Sequence, residues 1–339
     1  MNIDSIFEFG RTLGQGRFGV VIYAKDRSTG NEHAVKIISK RSAEGSTRHS
    51  RPLLRVKQAE REIMILQSIN HPHIVHLQRV YDTREKLYMV MELCNGDLGK
   101  VFRDKSFTED ETRHVIQDLA SAVSYLHKND IVHRDLKLEN ILVAINPNDS
   151  SDYLYIKVID FGLSIVKGGI GHEDMLQEFC GTVVYMAPEL IAGKRYSHQC
   201  DVWAMGVILY HLLCGSFPFY SSNEVILCDM ILKDKPSFSE QAWHETVSQE
   251  AAHLTNQMLT KDPAYRITAS EVGNHPWVLS KVREPDSSLY NYSSGHRFPS
   301  SYQTLIKSFV LTYLLAFKEP AGSLPPSHKP AIGPYPEQD

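Results

Sequence analysis

The chain is expected to fold as an α+β protein with two lobes, a small β-rich one followed by a larger α-helical one. Three observations predict this. Up to about Cys94, short runs rich in β-branched and aromatic residues dominate, namely Phe18 to Ala24, His33 to Ser39 and Leu87 to Leu93. Beyond Gly96 apolar residues recur at helical spacing, most clearly over Glu111 to His127 and Val202 to Cys214. Finally, 339 residues, 42% hydrophobic and 22% charged, are enough to bury a sizeable core in one large bilobal unit or two folded ones.

The first two strands are joined by the turn-forming Asp26-Arg27-Ser28-Thr29-Gly30 and read as a hairpin. Residues 41 to 52 are polar and end in Pro52, which predicts a loop, and Gln58 to Ile69 then carries Ile63 and Leu66 at helical spacing. Between the two long helical blocks lie short strands, Ile141 to Val143 and Tyr155 to Ile159, separated by a turn-rich stretch from Asn146 to Asp152. The folded domain is therefore expected over 9–277, with an N-lobe at 9–93, a C-lobe at 97–277, a lead at 1–8 and a tail at 278–339. In that tail Leu305, Phe309, Tyr313 and Phe317, with Ile306, Val310 and Leu314, form one apolar stripe, which predicts an amphipathic helix over 302–318 before a proline-rich end.

Composition excludes several classes of function. A formal net charge of -4 with mixed signs argues against a nucleic-acid binder or a polybasic membrane-surface protein. The longest apolar run, Phe309 to Phe317, is too short to span a bilayer, and the start of the chain has no cationic stretch leading into an apolar core, so no secretory signal is expected. Five cysteines lack CxxC spacing and suggest neither a zinc cage nor a disulfide framework, which fits reduced thiols in the cytoplasm or nucleus.

The residues suited to chemistry come in a fixed order. Leu13-Gly14-Gln15-Gly16-Arg17-Phe18-Gly19-Val20-Val21 is a glycine-rich loop inside the predicted hairpin, where backbone amides can approach phosphate oxygens and Phe18 can close the loop from above. Alone, this pattern also fits a tight turn; a dinucleotide fold is disfavoured because no helix follows the glycines. Lys36 ends the apolar run His33-Ala34-Val35, a place where most lysines are solvated strand ends, and Glu62 lies on the following helix as a partner for it. Then come His133-Arg134-Asp135-Leu136-Lys137-Leu138-Glu139-Asn140, Asp160-Phe161-Gly162 after a strand, and Ala187-Pro188-Glu189. The Asp160 carboxylate offers the hard oxygen that Mg²⁺ prefers.

In this order and at these intervals, residues 9–277 resemble a complete eukaryotic protein kinase domain of the calcium/calmodulin-dependent kinase group, with Val90 to Cys94, Asn129 to Asn140, Met175 to Gln177 and Cys180 to Thr182 closest to that group. The resemblance implies transfer of the γ-phosphoryl group of ATP to serine or threonine hydroxyls of proteins. It implies that Lys36, held by Glu62, pairs with the α- and β-phosphates, that Asp135 accepts the proton of the acceptor hydroxyl, that Lys137 neutralises developing charge, and that Asn140 and Asp160 hold Mg²⁺. Adenine would lie between Val21, Ala34 and Leu142, beside Met91 and against the backbone of Glu92 to Cys94, with Asp97 facing the ribose or the substrate. Leu66, Leu77, His133 and Phe161 would stack to link the lobes, while Asp201 would bond the catalytic-loop backbone and Arg266 would pair with Glu189. Glu139 and Asp97 imply a moderate preference for arginine three residues before the acceptor, with His211 at a third position that is often acidic.

A catalytically silent scaffold would call for loss of Lys36, Asp135, Asn140 or Asp160, and a small-molecule kinase would not need the peptide platform from Cys180 to Glu189; all of these residues are present. Val183 departs from the proline that most relatives carry after Gly181-Thr182. Glu178 stands where activation phosphorylation is usual, so a carboxylate facing Arg134 and basal activity without that phosphate are expected. Calmodulin is not favoured as a partner for 302–318, because that segment offers only Lys307 and Lys318; docking on the chain's own lobe is the expectation.

Overall fold

The computed structural model describes residues 2–16, 19–40, 51–166, 182–194, 197–236 and 247–280, all within one compact unit, Met1–Val282. Arg17, Phe18, Glu178, Cys180 and the expected tail helix at 302–318 lie outside the described residues.

Five antiparallel strands build the first lobe, β1 (Phe7–Gly16), β2 (Gly19–Asp26), β3 (Glu32–Ser39), β4 (Leu77–Asp82) and β5 (Lys86–Glu92), in the order β1-β2-β3-β5-β4. Strand alternation sorts β3 between two faces. Val35, opposite Ile22 and Val90, joins an outer apolar cluster with Phe7, Ala24 and Ile3. Lys36, opposite Val21 and Met89, and Ala34, opposite Tyr23 and Met91, occupy the other face. Two residues of the stretch expected as a lead at 1–8, Ile3 and Phe7, are buried in that outer cluster.

Helix α1 (Arg51–Ser68) starts earlier than its apolar periodicity suggests. Proline in a first helical turn gives up no intrahelical hydrogen bond, so Pro52, expected to close a loop, lies inside the helix. Gln58, Ala59, Glu62, Ile65 and Leu66 are buried along one face of α1, while Met64 on the opposite side is 70% exposed. A carboxylate in the middle of a buried stripe requires a partner.

The second lobe contains a two-stranded sheet, β7 (Ile131–Val132) with β10 (Ile165–Val166), and a three-stranded one, β6 (Gly96–Asp97), β8 (Ile141–Val143) and β9 (Ile156–Val158). Around these pack α2 (Leu98–Asp104), α3 (Glu109–Lys128), α4 (Pro188–Ile191), α5 (Gln199–Cys214), α6 (Glu224–Lys233), α7 (Gln249–Met258), α8 (Ala269–Gly273) and α9 (Pro276–Leu279). Thr108 and Glu111 form a capping box that fixes the start of α3. Helix α5 is buried nearly all round, from Cys200 to Tyr210, and its Asp201 bonds the segment that follows β7. Among the described residues, no helix is long and apolar enough to cross a membrane.

Candidate active site

The buried Glu62 carboxylate meets Lys36. Lys36 Nζ donates to Glu62 Oε1 at 2.8 Å and Oε2 at 2.7 Å, and lies 3.5 Å from Asp160 Oδ1. Strand β3, helix α1 and the turn after β9 thus deliver one group each to a single point. Burial alone disfavours the ammonium, but the two carboxylates outweigh it and Lys36 titrates above its ordinary range. Burial pushes the other way on Glu62, raising its carboxyl against the pull of Lys36. Two short charge-assisted contacts on one ammonium keep the pair ionised. Burial likewise opposes the Asp160 carboxylate, yet Lys36, His133 and the Gly162 amide overcome it and hold Asp160 below the usual carboxylate range. Asp160 adopts φ 65, a left-handed conformation that costs a non-glycine residue about 1–3 kcal/mol.

A second group forms on the loop after β7. Asp135 Oδ2 accepts from Lys137 Nζ at 2.8 Å and from Asn140 Nδ2 at 2.9 Å, while Asn140 Nδ2 also donates to the Asp135 carbonyl at 2.8 Å. The loop is fixed from beneath by α5. Asp201 Oδ2 accepts from the His133 amide at 2.9 Å, and Asp201 Oδ1 from the Arg134 amide at 2.8 Å. Arg134 has φ 70, so these bonds support a backbone that would otherwise be strained. The His133 ring lies 5.0 Å from that of Phe161 and its Nε2 is 3.0 Å from the Ile159 carbonyl, joining this loop to the Asp160 turn. Leu66, Leu77, His133 and Phe161 are all buried.

The other expected site residues fall into three sets. Val21, Ala34 and Lys36 share one face of the sheet with Met91, and Leu142 faces Asp97 across the β6–β8 pair. Leu13, Gly14, Gln15, Gly16, Gly19 and Val20 form the end of the β1–β2 hairpin, with Gly14 opposite Val21 and Gly16 opposite Gly19. The two glycines serve different ends. A Cβ on Gly14 would meet nothing within 4 Å, leaving its backbone open to a ligand, whereas a Cβ on Gly19 would lie 2.3 Å from the Ile37 carbonyl oxygen. Gly19 is thus required by the approach of β3, a packing reason distinct from the phosphate contact expected of it. Glu92 bridges Lys157 Nζ, at 3.0 Å, and the His76 amide, at 2.7 Å. Asp97, expected to face the ribose or the substrate, caps α2 by accepting from the Lys100 amide at 2.8 Å, and its other oxygen lies 3.1 Å from Lys100 Nζ.

Some contacts had no signal in the sequence. His127 on α3 reaches Asp201 Oδ2 at 2.9 Å, giving that carboxylate a third donor, and nothing in the spacing of sixteen histidines singles it out. Ser164 Oγ donates to the His133 carbonyl at 3.2 Å and is fully buried, which removes it as an accessible hydroxyl of its segment.

A lysine–glutamate pair beneath a glycine hairpin, beside an aspartate–lysine–asparagine loop, is the arrangement that the family resemblance requires. The family model for the protein kinase domain matches residues 7–278. The chain belongs to the protein kinase family. Serine/threonine-protein kinase 33 of Mus musculus is 46% identical over 285 residues, covering 83% of this chain and 56% of that protein. Calcium/calmodulin-dependent protein kinase type 1B of Homo sapiens is 38% identical over 281 residues, 82% of this chain and 76% of that one. Myosin light chain kinase A of Dictyostelium discoideum is 36% identical over 280 residues, 82% and 90% of the two chains. These relatives place the kinase domain with the calcium/calmodulin-dependent group of serine/threonine kinases, as its motifs led us to expect. The chain spans little more than half the length of the kinase 33 proteins, 56% in each case.

Proposed function

We propose that this protein transfers the γ-phosphoryl group of ATP to serine or threonine hydroxyls of protein substrates. The observation that carries the reading is the convergence of Lys36, Glu62 and Asp160 within 3.5 Å of the Lys36 ammonium. Lys36, positioned by Glu62, holds the α- and β-phosphates, while Val21, Ala34 and Leu142 flank adenine and the Glu92–Cys94 backbone bonds its edge. Arg17 and Phe18 would complete the loop over the phosphates. Asp160 and Asn140 supply a carboxylate and an amide oxygen, the hard donors that suit Mg²⁺. When bound there, Mg²⁺ neutralises charge on the β- and γ-phosphates. Asp135 orients the acceptor hydroxyl and takes its proton, and Lys137, already 2.8 Å from Asp135, lies close enough to stabilise the transferring group.

Glu139 and Asp97 support a moderate preference for arginine three residues before the acceptor. An arrayed Ser/Thr peptide library with ATP and Mg²⁺ tests both levels of this reading. Transfer to Ser/Thr peptides, faster with Arg than with Glu at that position, is expected. Equal rates for the two remove the specificity, and no transfer to any peptide removes the activity. Calmodulin is not part of the reading, since Lys307 and Lys318 are the only basic residues of 302–318. We place the protein in the cytoplasm or nucleus on the strength of its dispersed cysteines.

Lys36→Met keeps the length of the side chain and removes the charge. With its partner gone, Glu62 can take up a proton, so the fold should survive. The expected result is a loss of kcat of about 10²–10³-fold, the usual effect of removing one preorganised donor from a charged transition state. Steady-state rates on the best library peptide check it, and near-normal kcat would take Lys36 out of the mechanism.

A further inference from the structure

Away from the active site, four titratable side chains meet where the α1–β4 connection, helix α3 and the loop before β9 come together. His73 Nδ1 lies 3.4 Å from Asp118 Oδ2. His114 Nε2 lies 3.9 Å from that same oxygen and 3.1 Å from Asp152 Oδ1. Asp118 is only 9% exposed, and its Oδ2 is buried with no hydrogen-bond partner. The surrounding polar groups come from every element packed there. His71, from the same connection as His73, contacts Ser121 Oγ of α3 at 3.2 Å; Lys157 of β9 pairs with Glu92 of β5; Tyr155 stands against the His73 ring; and Asn146 Nδ2 donates to Asp152 Oδ2 at 2.9 Å. Among the described residues, no group of histidine, cysteine and acidic side chains has the geometry to hold a metal ion, so the species this cluster can exchange is a proton.

The cluster lies on the segment that joins the two halves of the active site. The Val158 amide donates to the His73 carbonyl at 2.9 Å, the Val75 amide donates to the Val158 carbonyl at 3.0 Å, and Tyr155 Oη donates to the Pro72 carbonyl at 3.0 Å. Val158 ends β9, two residues before Asp160, and the same connection continues α1, which carries Glu62. Residues 70–76 thus link the end of α1, which carries Glu62, to the strand that leads to Asp160.

We propose that His73, Asp118, His114 and Asp152 form a proton-sensitive clamp that positions α1 against β9, and so makes nucleotide binding by Lys36, Glu62 and Asp160 depend on pH near neutrality. The inference rests on the kinase reading of that site. Burial, reinforced by Asp152 and opposed by His114 and the Ile156 backbone, pushes the Asp118 carboxyl up to about 7. Burial also pushes His73 down, with Lys157 and His114 adding to the effect, and pushes His71, on the same connection, down to about 4. The buried proton whose exchange falls near neutral pH is the one on Asp118. With it bound, the buried oxygen carries no charge. Without it, two carboxylates flank His114 and one of them is buried, a costly arrangement. Because the pKa is raised in the folded state, the stability contributed by this proton is complete below the ordinary carboxyl range and lost as pH rises through about 7.

The test measures KM for ATP and kcat of the full chain from about pH 6 to 8.5, for wild type, Asp118→Asn and Asp152→Asn. In the wild type, KM should rise about threefold with a midpoint near 7, while Asp118→Asn, neutral throughout, should stay flat. Asp152→Asn, which removes a charge that raises the Asp118 pKa, should move the midpoint to lower pH. The thermal midpoint of Asp118→Asn should exceed that of wild type at high pH, and the gap should close as pH falls below the ordinary carboxyl range. A flat wild-type profile, the same rise in Asp118→Asn, an unmoved midpoint in Asp152→Asn or a gap that ignores pH each overturns the clamp. Absence of phosphoryl transfer by the wild type at every pH overturns the kinase reading instead.

Discussion

Asp135→Asn is expected to lower kcat by about 10²–10⁴-fold, the range of a lost general base, while leaving the fold and the affinity for ATP nearly unchanged. The amide has the shape of the carboxylate and keeps one acceptor oxygen, but it has no basic site for the proton of an acceptor hydroxyl. Its neighbours sharpen the expectation. Asp135 Oδ2 accepts from both Lys137 Nζ and Asn140 Nδ2, so a neutral oxygen there weakens the hold on two other groups of the same loop. The backbone beneath is secured separately, by Asp201 on the amides of His133 and Arg134, and should not move. Single-turnover rates on a Ser/Thr peptide, with nucleotide affinity measured in parallel, decide the matter. A kcat within about tenfold of wild type would show that the carboxylate is not the base.

How much of this was legible in the sequence depended on whether the signal was local. The glycine hairpin, the Asp135 loop and the Asp160 turn are contiguous segments whose chemistry is carried by neighbours a few residues apart, and the fold built around them is the one expected. Lys36 and Glu62 are 26 residues apart, and position in an element did not single out either, since a lysine after an apolar run is usually solvated and a helix glutamate usually exposed; the order of the family's motifs did. Contacts between distant elements had no comparable mark. His127 and Asp201 meet because α3 and α5 pack side by side, and the role of Gly19 is visible only once β3 lies against β2. Asp97, expected to face the ribose or the substrate, also caps α2, a use that becomes visible only in the folded chain. Ile3 and Phe7 are too few to show a period, and that they close the outer face of the sheet is visible only in the fold.

The largest effect on stability is expected at Arg266. The guanidinium has five N–H donors, and the structure provides five acceptors. Nη1 donates to Glu189 Oε1 at 2.8 Å and to the Gln199 carbonyl at 2.6 Å, Nη2 to Glu189 Oε2 at 2.9 Å and to the Lys261 carbonyl at 3.1 Å, and Nε to the Thr260 carbonyl at 2.8 Å. The side chain is fully buried and lies 5.2 Å from the Trp203 ring. Arg266→Ala would leave the Glu189 carboxylate and three backbone carbonyls buried without this partner, a change that costs about 3–5 kcal/mol when a buried ion pair is broken. For a domain of this size that corresponds to a fall in thermal midpoint of roughly 6–20 °C. Arg266→Lys keeps the charge but has three donors on a single nitrogen and cannot bridge both Glu189 oxygens while serving the carbonyls, so it should fall between Ala and wild type. Glu189→Leu combined with Arg266→Met removes both charges, and should recover only part of the loss, because the carbonyls of Thr260, Gln199 and Lys261 still lack the donors that Arg266 gave them. Thermal melts of the four proteins give the order directly: wild type highest, then Arg266→Lys and the double variant, with Arg266→Ala lowest. A midpoint for Arg266→Ala within about 2 °C of wild type would mean that the α4–α5 junction does not depend on this arginine.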